Sequence, residues 1–171
     1  FQSGALLGSL TLIENVMLPL EEFTDLSPAF RMSVAMDSLG KVGLDRFADA
    51  YPLEVSGGMQ KRAGLARAMS LDPDVLFFDE PSAGLDPVTS AGLDDLILTI
   101  NRLSGTTMVI VTHELPSIFA ISDRVVMLDS STHGISAEGT AEQLRDSNDD
   151  DRVEAFFRRR APGDDGGQDV S

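Results

Sequence analysis

Two short segments of this chain combine residue types suited to phosphate chemistry. At Ser56-Gly57-Gly58 a serine precedes two residues without side chains, and an apolar-periodic run follows. A serine at a helix start followed by glycines leaves unpaired N–H donors aimed at one point, and helix-terminal amides with their dipole favour an anion there. Further along, Val75-Leu76-Phe77-Phe78 ends on Asp79-Glu80-Pro81. Polar groups at the carboxyl ends of strands in a parallel sheet face the ligand crevice. There Asp79 could hold Mg²⁺, mostly through water, and Glu80 could orient or deprotonate an attacking water. Taken singly, each segment has a plainer reading. Ser56 is also a simple helix cap before flexible glycines, and Asp79-Glu80 two acids in a surface turn.

The elements that would position these residues can be read from caps and periodicity. Thr11-Leu12-Ile13-Glu14 has the form of a capping box and predicts a short helix carrying Val16 and Met17, ended by Pro19. Ser27-Pro28 predicts a second helix, with Phe30 and Val34, that stops at Gly40. Ser56 caps a third that reaches about Ser70, with Leu65 and Met69 on one face. After Asp72-Pro73 the rhythm changes to strand, helix, strand, helix, strand. Residues 75–79 read as a strand buried on both faces. Residues 87–103 read as a helix with Val88, Gly92, Leu96, Ile100 and Leu103 at helical spacing, and 106–112 and 124–128 as further strands around a short helix at 114–122. Such alternation predicts a parallel α/β sheet. A small hairpin at 130–139, helices at 140–146 and 149–160, and a disordered Gly- and Asp-rich tail at 161–171 complete the expectation.

Composition narrows the function classes. The 171 residues hold 42% apolar and 24% charged residues, enough for one domain with a real core. No cysteine is present, which excludes disulfides and thiolate metal sites. Apolar runs are too short to span a bilayer. The net charge of −15, with Lys41 and Lys61 the only lysines and Arg158-Arg159-Arg160 the one basic cluster, argues against nucleic acid as a partner. The chain opens on Phe1 with no signal-peptide pattern, and reads as a fragment whose amino-terminal part has been removed.

The order of the motifs changes their meaning. Gln2 lies upstream, then Ser56-Gly57-Gly58-Met59-Gln60, Asp79-Glu80-Pro81, Ala83-Gly84-Leu85-Asp86-Pro87, and Thr112-His113 at the next strand end. Across residues 1–140 this series resembles the ABC-type ATPases. The resemblance implies a P-loop NTPase fold, here a helical signature subdomain plus the second half of a mainly parallel RecA-like sheet. It implies ATP and Mg²⁺ as cofactors, with Gln2 as the Q-loop glutamine that senses metal and water. Ser56, Gly57, Gly58 and Gln60 would form the signature loop on the opposite subunit's nucleotide. Asp79 matches the Walker B metal residue, Glu80 the catalytic glutamate, Asp86 the D-loop aspartate and His113 the switch histidine. His133 matches nothing and reads as a surface residue. The family's P-loop, Gly-x-x-x-x-Gly-Lys followed by Ser or Thr, has no counterpart: the only Gly-Lys pair, Gly40-Lys41, precedes Val42. The chain alone is therefore expected neither to bind ATP tightly nor to hydrolyse it, and to be oligomeric or marginally stable through exposed strand edges.

A finer resemblance lies outside the shared motifs. Residues 7–16 resemble the stretch after the Q-loop in importer-type subunits, while the series Ser56-Gly57-Gly58-Met59-Gln60-Lys61-Arg62, residues 112–124 and residues 151–157 are similar to the ATPases of Mla-type, MCE-linked phospholipid transporters. ATPases for amino acids, metals or lipoprotein release share much of this sequence. The resemblance implies a homodimer with a second ATPase subunit, bound to transmembrane permease subunits at the cytoplasmic face of the inner membrane. It divides the chain into a Q-loop and signature part (1–70), a Walker B, D-loop and switch part (71–139), and a carboxyl-terminal extension (140–171). Val153, Phe156 and Phe157 form a helical stripe that either packs on its own domain or meets a small regulatory subunit. A DNA-clamping ATPase would need coiled coils or basic surfaces, and a non-catalytic module would often lack Glu80.

Overall fold

The structure, a computed structural model, describes residues 5–131, 133–146 and 151–158. Gln2 and the tail from 161 onward lie outside these residues. The chain divides into two compact units, Phe1–His113 and Glu114–Ser171.

The first unit begins with three helices, α1 (Leu12–Phe23), α2 (Pro28–Lys41) and α3 (Gly57–Met69). The capping box at Thr11 is formed: its hydroxyl accepts from the Glu14 amide at 3.3 Å, and the Glu14 carboxylate accepts from the Thr11 amide at 2.7 Å. Helix α1 nevertheless runs through Pro19 instead of ending there. Leu12, Val16 and Leu20 are all at most 2% exposed, and the Thr24 hydroxyl donates to the Leu20 carbonyl at 2.5 Å. Burying Leu20 recovers about 2 kcal/mol, and with the terminal cap this offsets the roughly 3 kcal/mol that an internal proline costs. Helix α2 starts on Pro28 and supplies the buried Ala35 and Leu39 opposite α1.

The parallel pair β1 (Val75–Asp79) and β2 (Thr107–Val111) is in register from Val75↔Thr107 to Asp79↔Val111, joined by α4 (Pro87–Ser104). The sequence predicts burial on both faces of β1, but only one face is covered. Leu76 is 6% exposed, whereas Phe77 is 78% and Val111 61% exposed. A cavity of about 240 Å³ beside β1 is lined by Leu76 together with Leu65 of α3 and Leu93 of α4. The other face carries no described element of this unit. On α4 the buried stripe is Leu93, Ile97 and Ile100, while Val88 and Leu103 point outward. Apolar residues at two helical phases let packing, not pattern, choose between them.

The second unit holds α5 (Leu115–Ile121), β3 (Val125–Asp129), β4 (Gly134–Gly139), α6 (Ala141–Asp146) and α7 (Asp151–Arg158). The sequence predicts that the third apolar run extends a parallel sheet. It pairs antiparallel with β4, in a separate two-stranded sheet. A connection as short as Asp129 to Gly134 can join only antiparallel strands. Thr140 and Gln143 form a reciprocal cap on α6, at 2.9 and 3.2 Å. The core gathers Leu115, Ile118, Ala141, Leu144, Val153 and Phe157. Phe157 meets Phe119 edge to face, and Arg152 pairs with Asp129 and donates to the Ser131 hydroxyl at 2.6 Å. The stripe on α7 thus packs within its own unit. Among the described residues no helix is long and apolar enough to cross a membrane.

Candidate functional site

The parallel register of β1 and β2 sets the ends of both strands side by side. Just past Asp79, the Glu80 amide donates to the Val111 carbonyl at 2.8 Å, one step beyond the ladder. The Glu80 side chain is 16% exposed. Its Oε1 lies 2.7 Å from His113 Nδ1, and its Oε2 accepts from the Thr112 hydroxyl at 3.3 Å. Glu80 also has φ +49°, in the left-handed region that costs a residue with a Cβ about 1–2 kcal/mol. A carboxylate fixed by two partners from the neighbouring strand, on a strained backbone, suits a group that must hold one orientation.

Asp79 ends β1 with an exposed side chain. Among the described residues no cluster of three or more histidines or acids could hold a metal ion by itself. One exposed carboxylate still fits Mg²⁺, which keeps several waters and takes one or two carboxylates beside substrate phosphates.

The start of α3 is built differently. Ser56 caps the helix, its hydroxyl accepting from the Met59 amide at 3.3 Å. A side chain at Gly57 would meet nothing within 4 Å, so its backbone is open to close approach. A Cβ on buried Gly58 would lie 2.6 Å from Thr89 Cγ2 of α4. The bare position at Gly58 is therefore accounted for by helix packing, and only Gly57 is left as a surface for a ligand. Thr89 cannot swing aside freely, because its hydroxyl donates to Asp86 Oδ2 at 2.5 Å. Asp86 caps α4 through the amides of Val88 and Thr89 at 3.1 and 3.0 Å. Its carboxyl is held below the usual aspartate range, first by the Thr89 hydroxyl and then by the Thr89 amide. The Gln60 amide group donates to the carbonyls of Pro52 at 2.9 Å and Val55 at 3.4 Å, fastening the loop that leads into Ser56.

The structure thus brings Glu80, Thr112 and His113 into one cluster, with Asp79 adjoining Glu80 in the chain. It joins Gly58 to Asp86 through Thr89. Gly40-Lys41 lies inside α2, and Lys41 pairs with Asp37 at 2.9 Å. Sequence reasoning passed over the residues that hold these groups. Asn15, fully buried, exchanges hydrogen bonds with Leu7 at 2.7 and 3.1 Å and pins residues 7–11 to α1. Arg67 of α3 donates to the Ala5 carbonyl at 2.8 Å, and Lys61 of the same helix reaches the turn after Glu80. The one available signal was Lys61 being one of two lysines in so acidic a chain.

Comparison with known proteins gives a consistent set of likenesses. The profile of the ABC transporter family matches residues 1–83. The intermembrane phospholipid transport system ATP-binding protein MlaF of Escherichia coli K12 is 42% identical over 163 residues, which is 95% of this chain and 60% of that protein. The L-cystine import ATP-binding protein TcyN of Bacillus subtilis is 40% identical, over 95% of this chain and 61% of its own length. The probable ribonucleotide transport ATP-binding protein mkl of Mycobacterium tuberculosis H37Rv is 44% identical over 75% of this chain and 36% of its own. The chain therefore spans at most about three fifths of these relatives. A dimeric structure of the ATP-binding cassette MJ0796 in a post-hydrolysis state, bound to ADP and Pi, superposes with a TM-score of 0.70. It is 31% identical, over 82% of this chain and 61% of that one.

Proposed function

This chain belongs to the ABC transporter family of ATPases, and on that footing we propose that the intact protein hydrolyses ATP to drive transport. The observation that carries the reading is the cluster of Glu80, Thr112 and His113 at adjacent strand ends, next to Asp79. ATP and Mg²⁺ would be the cofactors. Asp79, together with Gln2, would hold the Mg²⁺, which when bound would supply charge stabilisation to the phosphates. Glu80 orients the attacking water and takes its proton, steered by the Thr112 hydroxyl and the His113 ring. His113, whose side chain is 68% exposed, would reach from Glu80 toward the terminal phosphate. The phosphate cradle for that nucleotide would come from a P-loop, a pattern these 171 residues do not contain.

Ser56 and the open Gly57 backbone, with Gly58 and Gln60 holding the loop in shape, complete the nucleotide site of a second subunit, and Asp86 acts across the same dimer. The ATP-binding cassette that this chain resembles is dimeric in its structure bound to ADP and Pi. Transmembrane permease subunits at the cytoplasmic face of the inner membrane would receive the motion. Phospholipid is the favoured cargo, from the likeness to an intermembrane phospholipid transport ATPase. Cystine-type import is the second reading, from the nearly equal likeness to TcyN. A small regulatory subunit would bind the carboxyl-terminal extension outside the Val153 and Phe157 core. The division into parts 1–70, 71–139 and 140–171 stays with this reading.

The test is Glu80→Gln in the intact protein. Loss of a positioned general base should lower ATP turnover by about 10²–10⁴-fold while nucleotide remains bound. Retained turnover would remove Glu80 from the chemistry and favour a non-catalytic module.

A further inference from the structure

Lys61 lies in the second turn of α3, the helix that Ser56 and Gly57 open. Its ammonium donates to the carbonyls of Pro81 and Ala83, each at 2.6 Å, and to that of Glu80 at 3.5 Å. A lysine ammonium has three N–H donors and no acceptor, so all three end on one turn. That turn is where the chain leaves β1. Glu80 is left-handed there, and the Ala83 amide closes back on the Glu80 carbonyl at 3.2 Å. Carbonyl oxygens that converge on one point repel one another unless a cation sits between them. Burial draws the Lys61 pKa below the ordinary lysine value, and the Glu80 charge opposes that shift.

We propose that Lys61 is a positioning residue: by clasping the carbonyls of Glu80, Pro81 and Ala83 it fixes the backbone that aims the Glu80 carboxylate. The same clasp ties that carboxylate to the start of α3. The inference rests on reading Glu80 as the base.

The experiment compares Lys61→Met and Lys61→Arg in the intact protein. Met preserves the stem and removes the donors, whereas Arg retains charge and several donors. Lys61→Met should lower kcat by about ten- to a hundredfold, the scale of a misaimed catalytic group, with KM for ATP within about twofold. Lys61→Arg should recover most of the loss. Hydrogen exchange at the Ala83 and Leu85 amides should quicken in Lys61→Met alone. An unchanged kcat, or equal losses in both variants, would overturn the proposal. So would a rise in KM matching the fall in kcat. If the wild-type protein shows no turnover, the ATPase reading fails by itself, and exchange at Ala83 and Leu85 alone decides the clasp: unchanged rates overturn it. Should Lys61→Met melt below the assay temperature, Lys61→Leu is read by the same measures.

Discussion

The turn at Glu80 and the start of α3 are two half-sites of opposite construction. At Glu80 the carboxylate is engaged by Thr112 and His113 and the backbone by Lys61, all from this chain. At Ser56 and Gly57 the hydroxyl caps the helix and the neighbouring backbone faces open space. The first is organised before any ligand arrives. The second offers amides to something that comes from outside. A base must be aimed to within a fraction of an ångström, while an anion contact at a helix start needs mainly exposed donors.

The strongest way to break this comparison is a dimer with two different subunits. If Glu80→Gln and Ser56→Arg sit on separate subunits, one nucleotide site keeps both its halves. If both changes sit on one subunit, each site loses a half. Turnover should survive in the first arrangement, at up to about half the wild-type rate if the sites act independently, and vanish in the second. The reverse order, with turnover surviving only when both changes sit on one subunit, would show that the two half-sites of one chain serve the same nucleotide.

The two glycines sharpen the contrast at smaller scale. Gly58→Ala forces a methyl against Thr89, and overpacking of this kind costs about 1–3 kcal/mol, measured by denaturant unfolding. Gly57→Ala should leave stability within about 0.5 kcal/mol, yet reduce turnover in the dimer by crowding the partner's phosphate. A reversed order of stability would place the close approach at the wrong glycine. The smallest effect concerns Asp86. Its folded pKa is lowered, so the cap stabilises fully above the unfolded value and is lost as pH falls through the folded one. The melting difference between wild type and Asp86→Ala should therefore hold near neutrality and shrink below about pH 4. A constant difference down to acid pH would count against the capping role.

Much of the local structure was legible because it is decided within a few residues. The caps at Thr11 and Ser56 and the strand 75–79 follow from side chains reaching their own backbone or from β-branched and aromatic runs. Helix α1 continues past Pro19, against the local signal, because the burial of Leu20 depends on the packing of separate helices. The outward faces of Val88, Leu103 and Phe77 escaped notice for the same reason: apolar pattern names candidates for a core, and packing selects among them. Within the candidate site, Asp79, Glu80 and His113 were found as a motif. The Lys61 clasp, the Asn15 anchor and the Thr89 contact join residues far apart in the chain, and no spacing announces them.

By itself the sequence determined the chemistry available to this protein: acids at the end of an apolar strand, a serine-glycine helix start, a histidine after the next strand, and no Gly-Lys-Ser or Gly-Lys-Thr loop. Residue type and short-range order carry that information because caps, strand ends and helix starts are local. Only the tertiary structure decided which groups meet. It paired Glu80 with His113 through the register of two parallel strands, and assigned Gly58 to packing while leaving Gly57 open. It also set Lys61 over the turn beside the base. Those choices depend on distances between separate elements, which the burial of Leu12, Leu39, Leu76 and Leu93 sets and local pattern does not encode.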